Sequence, residues 1–114
     1  MPDCLFCGIV AGEIPATLVS EKPKTIAFRD INPQAPVHVL VVPRTHHADL
    51  QELVEAPEGL LNDVLAHVAE VADAEGITSG GYRVVFNTGP GGGQTVGHVH
   101  AHVLGGRQMT WPPG

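Results

Sequence analysis

Short apolar or alternating runs recur at five places along the chain, and each is typical of a β-strand. The runs occupy residues 17–20, 25–30, 37–42, 82–87 and 98–104. A polar turn with Pro23 separates the first two runs, which predicts a hairpin. The third run is apolar almost throughout and stops at Pro43, so we expect it to form a central strand.

Between residues 57 and 76 the apolar positions recur every three or four residues, which predicts one long amphipathic helix. Pro57 suits the first helical turn, and Gly76 suits a left-handed residue at the helix end. We expect His67 and the acidic residues of this segment to form its solvated face. A short helix is predicted over residues 4–11. The fold class is therefore α+β, with a five-stranded antiparallel sheet, one long helix and one short helix.

Length and charge narrow the classes of function. The chain has 114 residues and a formal net charge of −6, so we expect one domain over residues 1–114. Its basic residues form no cluster, which argues against binding to extended nucleic acid. No apolar run reaches the roughly 20 residues of a membrane span, and the N-terminus lacks the pattern of a secretory signal. We therefore expect a cytoplasmic protein without a membrane partner.

Residues 98–104 read His-Val-His-Ala-His-Val-Leu, an alternation that is the period of a β-strand. His98, His100 and His102 should project from one face, with the apolar residues between them on the other. The first and third side chains would start about 13 Å apart, too far to share one zinc ion. A neutral imidazole is available near pH 7 as a nucleophile or base, so catalysis fits the pattern better than chelation by all three.

A glycine-rich loop over residues 87–95 comes just before these histidines. Its Gly91-Gly92-Gly93 run allows backbone N–H groups to face an anion, and Gln94 and Thr95 add polar hydrogens. A glycine run alone is most often a flexible turn. Beside three aligned imidazoles, it predicts a phosphate site.

Cys4 and Cys7 form a Cys-x-x-Cys pair. A structural disulfide is disfavoured in the cytoplasm, which leaves metal binding, a redox dithiol or inert thiols. A redox pair would follow a strand at a helix start, and no strand is predicted before Cys4. Metal binding and inert thiols therefore remain as the two interpretations.

The motif at residues 98–104 resembles the signature of the histidine triad (HIT) superfamily. Three further segments are similar to its nucleotide-binding, Hint-like branch, so the resemblance spans nearly the whole chain; they are residues 28–36, 37–43 and 105–114. The uridylyltransferase branch carries glutamine at the third triad position, where this chain has His102. The resemblance thus favours hydrolysis.

The resemblance implies a HIT-like fold, a homodimer with a continuous ten-stranded sheet, and a phosphoramidase. Such an enzyme cleaves the P–N bond of adenosine 5′-phosphoramidates through a nucleotidyl-histidine, needs no metal for catalysis, and binds AMP, GMP or their phosphoramidates. Two alternatives stay open. One is a hydrolase of dinucleoside polyphosphates or aminoacyl-adenylates, and the other is a zinc-stapled nucleotide-binding or scaffold protein with incidental hydrolysis.

Carried over by position, the resemblance makes His100 the nucleophile, and His98 its support. His102 and His38 would contact the phosphate and assist proton transfer, while Asp30 would accept hydrogen bonds from the ribose hydroxyls. Further nucleotide contacts fall on Ile31, Asn87, Gly93, Gln94, Thr95 and Trp111. Ile31, Phe6 and Leu40 either sandwich the adenine or belong to the core.

The resemblance also implies a structural zinc site. Its ligands would be Cys4, Cys7, His46 and His98, a closed tetrahedral set that staples the N-terminal helix to the sheet. His47 should point away from that site. The tail over residues 105–114 should dock at the dimer interface.

Overall fold

The computed structural model describes residues 4–114 and forms a five-stranded antiparallel sheet with strand order β1-β2-β3-β5-β4. The first three residues, on which the expected lack of a secretory signal partly rests, lie outside the described part. The strands are β1 (Leu18–Glu21), β2 (Thr25–Arg29), β3 (Val37–Pro43), β4 (Tyr82–Val85) and β5 (Ala101–Gly105). The helices are α1 (Leu5–Val10), α2 (Leu50–Glu55) and α3 (Leu60–Ala74), with a 3₁₀ turn at Pro90–Gly92. The predicted α+β class and antiparallel sheet are confirmed.

Strand β3 is the middle strand of the sheet, as its apolar run predicts, and both of its faces are covered. Val39 and Val41 belong to the buried cluster beneath α3, whereas Leu40 and Val42 belong to a second cluster with Phe6 of α1. Successive side chains of a strand point to opposite faces, so a strand buried on both sides must be apolar at every position. The hairpin of β1 and β2 is confirmed, with β2 also paired along its length to β3.

Helix α3 starts three residues later than predicted. Glu58 and Gly59 have φ values of 63° and 70°, so the chain turns through the left-handed region and the helix begins at Leu60. The expectation that Pro57 lies in the first helical turn is wrong. Gly76 has φ of 73° and follows the helix end, which confirms its predicted left-handed role. Within residues 4–114, no helix combines the length and apolarity that crossing a membrane requires.

The apolar periodicity does not predict helix α2, so residues 4–114 contain two short helices rather than one. The Asp49 carboxylate accepts a hydrogen bond from the Glu52 N–H at 3.1 Å, and the Glu52 carboxylate accepts one from the Ala48 N–H at 2.7 Å. This reciprocal capping, readable as Asp-x-x-Glu, was the missed sequence signal. Leu53 anchors the helix in the core with no exposed surface.

His67 is buried, which overturns its assignment to the solvated face of the helix. Its ring nitrogens lie 2.7 Å from both the Ser20 and the Thr25 hydroxyl, so one side chain joins α3 to β1 and β2. Burial lowers the pKa of His67. The spacing along the helix indicates this burial. Val64 lies three residues before His67 and Val71 four residues after it, and both lie on the buried face of the helix.

Strand β5 is shorter than predicted, and only His102 of the three alternating histidines lies within it. His98 and His100 precede the strand because the Val99 N–H donates to the His47 carbonyl, at 2.7 Å, instead of to a neighbouring strand. The alternation nevertheless persists. Val99, Ala101 and Val103 pack in the cluster beneath α3, as expected, and the histidines face the other side.

We predict that His67→Ala lowers the free energy of unfolding by about 2–4 kcal/mol, since it leaves a cavity and an unpartnered Thr25 hydroxyl. Urea denaturation measures this loss. Leu65→Ala is the matched control in the same helix, because Leu65 is 44% exposed and should lose less than about 1 kcal/mol. Equal losses in the two variants would contradict the buried role of His67.

Candidate functional site

A cavity of about 580 Å³ lies between α1 and the sheet face opposite α3. Its wall is largely apolar, and its polar groups come from the ends of β2 and β5 and from the loop before His98. The residues that carry the argument are Phe6, Phe28, Asp30, Ile31, Leu40, Thr95, His100 and His102. A cavity of this size and lining is typical of a small-molecule site.

Two backbone carbonyls determine which nitrogens of His98 and His100 carry hydrogen. The His98 ring donates from Nε2 to the Pro43 carbonyl at 2.9 Å, and the His100 ring donates from Nδ1 to the His98 carbonyl at 2.9 Å. A carbonyl oxygen only accepts, so both nitrogens must carry hydrogen. Burial lowers the pKa of both rings, which leaves neutral imidazoles. The lone pairs therefore lie on His98 Nδ1 and His100 Nε2.

The His100 ring is also held by packing. The Phe6 ring from α1 stands edge-on to it, with 5.0 Å between centroids, and Phe28 lies against Phe6 at 5.3 Å. Both phenylalanines are buried and line the cavity. The position of the His100 ring thus depends on helix α1 staying in place.

His102, His38 and Asp30 form a second group on the same sheet face. His38 Nε2 lies 2.9 Å from His102 Nδ1 and 3.3 Å from a carboxylate oxygen of Asp30. Burial, together with the neighbouring His100 and His38, lowers the pKa of His102 to about 4. Burial also lowers the pKa of His38, although the Asp30 charge opposes that shift. The pair is therefore neutral near pH 7.

Asp30 follows β2 and reaches the cavity. One of its oxygens accepts the Asn32 N–H at 2.8 Å, and the other faces His38. Its side chain is 17% exposed, and each carboxylate oxygen has a second lone pair. The residue can therefore accept further hydrogen bonds from a molecule in the cavity.

Hydrogen bonds within the glycine loop, residues 87–95, hold its conformation. The Gly92 and Gly93 N–H groups donate to the Gly89 and Pro90 carbonyls, at 3.2 and 3.1 Å, so in this conformation they do not form the predicted anion nest. The Gln94 side chain accepts from Gly89 N–H and donates to the Ala48 and Val96 carbonyls. Gln94 therefore holds the loop, and Thr95 lines the cavity instead.

The expected nucleotide contacts divide into two groups. The structure brings Asp30, Ile31 and Thr95 to the cavity with His100 and His102. Asn87, Gly93, Gln94 and Trp111 are not among its lining residues in the described part of the chain. Ile31 lies at the rim, 99% exposed, and Trp111 is 83% exposed.

Phe6 and Leu40 are buried in the core, as one of their two interpretations expects, and they also line the cavity. Sequence reasoning missed other members of the wall, among them Ile9, Ile14 and Phe28. Their apolar character signals burial but not the cavity that they enclose.

Four further side chains converge at the start of α1. Cys4 and Cys7 Sγ lie 3.4 and 3.5 Å from His98 Nδ1, and Cys7 Sγ lies 3.4 Å from His46 Nδ1. Tetrahedral zinc with ordinary bond lengths separates sulfur and nitrogen ligands by about 3.5 Å, so this donor set fits a metal ion. The lone pair of His98 Nδ1 points into the group. His47 bonds to Thr45 at 2.9 Å and lies outside it, as expected.

Comparison with known proteins gives one consistent result. A family model described as the HIT domain matches residues 11–109. A HIT family hydrolase from Legionella pneumophila has a crystal structure that superposes with a TM-score of 0.94 at 53% identity, over 98% of this chain and 100% of that one.

Two curated relatives have more specific names. A 14 kDa zinc-binding protein of Zea mays is 50% identical over 96% of this chain and 87% of its own length. Adenylylsulfatase HINT1 of Arabidopsis thaliana is 45% identical over 96% of this chain and 76% of its own length.

We predict that His102 stays neutral well below the pH at which an exposed histidine titrates. NMR titration of its ring signals, assigned with a His102→Gln variant, should give a midpoint pH near its lowered pKa of about 4. Because the folded pKa is lowered, the stability contributed by neutral His102 is complete above about pH 6.5 and is lost as the pH falls toward 4. A midpoint near 6.5 would contradict the buried, neutral pair.

Proposed function

This chain belongs to the HIT family, and from that premise we propose that it is a purine nucleotide hydrolase that cleaves the P–N bond of adenosine 5′-phosphoramidates. The observation that carries the proposal is the hydrogen bond from His100 Nδ1 to the His98 carbonyl. It leaves the Nε2 lone pair of a neutral ring at the wall of a cavity large enough for a nucleotide.

The reaction proceeds in two displacements. His100 Nε2 attacks the α-phosphorus, and the P–N bond breaks with its electron pair on the amine nitrogen, which takes up a proton from water. Water then attacks the phosphorus of the adduct, releases a proton, and the P–Nε2 bond breaks to give AMP and neutral His100. The covalent step divides one difficult displacement into two easier ones.

The remaining cavity residues bind the nucleotide. The apolar wall, with Phe6, Leu40 and Ile31, receives the purine of AMP or GMP. The Asp30 carboxylate accepts hydrogen bonds from the ribose hydroxyls. Thr95 and His102 face the phosphate, where fixed donors stabilise the charge that develops in the transition state. His38 and His102 assist the proton movements.

The leaving group is what separates the candidate substrates. The same attack on an α-phosphorus would serve a phosphoramidate, a dinucleoside polyphosphate or an aminoacyl-adenylate. The name of the Arabidopsis relative adds adenylyl sulfate to this set. We favour the phosphoramidate, and rates on an adenosine phosphoramidate, diadenosine tetraphosphate and adenylyl sulfate, measured side by side, decide among them.

We also propose that zinc binds to Cys4, Cys7, His46 and His98 in a structural role. The named zinc-binding relative and the spacing of the donors support this site. When bound, the metal would cross-link α1 to the sheet. The His98 ring would then be held through Nδ1 as well as through Nε2, which would fix the positions of His100 and Phe6.

A homodimer in the cytoplasm completes the proposal. Strand β4 lies at the sheet edge with Tyr82 and Val84 partly exposed, so a second copy can extend the sheet to ten strands. Arg83 of the same strand donates to the Thr110 carbonyl at 2.9 Å and holds the tail beside this edge, with Trp111 exposed. Cys4 and Cys7 form no disulfide in the structure, as suits a reducing compartment.

We predict that His100→Ala lowers phosphoramidase turnover by at least about a thousandfold, because it removes the nucleophile. AMP affinity, measured by calorimetry, should change by only a few fold. His47→Ala is the control, because its ring lies outside the cavity and should leave turnover unchanged. Near-normal turnover of His100→Ala would refute the assignment.

We predict that protein purified without added metal carries about one zinc ion per chain, measured by elemental analysis. His46→Ala should lose it and unfold at a lower temperature, because α1 is no longer cross-linked. The adjacent His47→Ala should keep its zinc. A zinc content near zero in the unmodified protein would eliminate the site.

A further inference from the structure

We propose that the backbone amide of Gln34 and the side chain of Arg107 are positioning groups that keep His102 as a hydrogen-bond donor toward the cavity. The inference rests on the proposed function, because it assigns a task to His102 in that reaction. It extends the site to a turn and a tail segment that do not touch the reacting atoms.

The positions of the hydrogens on both rings follow from the environment of His38. The Gln34 N–H donates to His38 Nδ1 at 3.0 Å, so Nδ1 must carry a lone pair. In a neutral ring, the hydrogen then lies on His38 Nε2, which is 2.9 Å from His102 Nδ1. His102 Nδ1 must accept that hydrogen, and the hydrogen of the His102 ring is left on Nε2. One backbone N–H thereby sets the tautomers of two rings.

This order of hydrogens also bears on metal binding. The donor atoms of Asp30, His38 and His102 lie within 4.8 Å of one another, close enough to share an ion. Coordination through His38 Nε2 would require the hydrogen to move to Nδ1, where it would face the Gln34 N–H. The Gln34 amide therefore disfavours a metal ion at this place and favours the hydrogen-bonded pair.

Arg107 holds the turn that carries this amide. Its Nε donates to the Gln34 carbonyl at 2.9 Å, and Nη1 donates to the Gln108 carbonyl at 3.1 Å. The tail also lies close against the turn: a Cβ built on Gly106, which has φ of 90°, would lie 2.9 Å from Pro36 Cβ. Arg107 thus connects the segment after β5 to the segment before β3.

The consequence for the reaction is electrostatic. A neutral His102 with hydrogen on Nε2 can donate to an oxygen of the phosphoryl group as negative charge accumulates there. The opposite tautomer would present a lone pair to that charge and repel it. This hydrogen bond forms from the neutral ring, so the stabilisation of the phosphoryl oxygen does not itself require a proton to leave His102.

Two pairs of variants test the proposal. Gln34→Pro removes the backbone N–H that donates to His38. Gln34→Ala keeps that N–H and shortens only the side chain. Arg107→Met removes both donors of the tail, whereas Arg107→Lys keeps one positive donor. Because Arg107 is exposed, its variants should fold even if Gln34→Pro does not.

The primary readout is nitrogen-15 NMR of the histidine rings in the unliganded protein, which shows the nitrogen that carries hydrogen. The wild type and Gln34→Ala should show hydrogen on Nε2 of His38 and His102. Gln34→Pro and Arg107→Met should show mixed tautomers, with kcat on the adenosine phosphoramidate lowered about tenfold, the scale of one lost hydrogen bond, and KM changed little. Arg107→Lys should partly restore the wild-type tautomers and the wild-type kcat.

The proposal is overturned if Arg107→Met keeps the wild-type tautomers, whatever happens to its rate. It is also overturned if the tautomers mix while kcat on the phosphoramidate stays at the wild-type value. If the unmodified protein hydrolyses no nucleotide but the tautomers respond as described, the proposed function fails while the positioning by Gln34 and Arg107 stands.

Discussion

The carbonyl group of His98 is the constraint on which the site depends. It accepts the Nδ1 hydrogen of His100 and so determines where the lone pair of that ring lies. The ring of the same residue is held by the Pro43 carbonyl at the end of β3 and faces the thiols of Cys4 and Cys7. His98 therefore connects the central strand, helix α1 and His100. The nucleophilic role proposed for His100 depends on this backbone geometry more than on the imidazole alone.

One face of the sheet packs in the apolar core, and the other face carries the residues of the candidate site. Beneath α3, alternate residues such as Val39, Val41 and Val103 form an apolar core. On the other face the remaining positions of β3 and β5 carry His38, Leu40 and His102. Because β3 contributes to both faces, the large core under α3 holds the histidines in place without contacting a ligand.

Features of the fold that depend on neighbouring residues in the sequence can be predicted, and features that depend on distant contacts cannot. The strands and α3 can be predicted from periodicity, because the order of apolar residues shows whether one face or both faces of an element are buried. The boundaries of β5 do not follow, since the Val99 N–H finds its acceptor on His47, far away in the chain. His67 differs, because its polarity favours the solvated face of α3 whereas its spacing from Val64 places it on the buried face. The alternation of the three histidines is readable in the sequence, whereas the role of Asp30 and the separate role of each histidine came from the resemblance. Ile9 and Ile14 belong to the cavity wall because α1 and the segment after it pack on the sheet, which the local sequence does not show.

The central claim is that the His100 ring becomes covalently joined to phosphorus during turnover. Rapid acid quenching of the protein during turnover of an adenosine phosphoramidate, followed by peptide mass spectrometry, tests it most directly. We expect an adenylyl group on the peptide that contains His100, formed and consumed at the rate of turnover. Turnover with no adduct at any quench time, or an adduct on another residue, would contradict it.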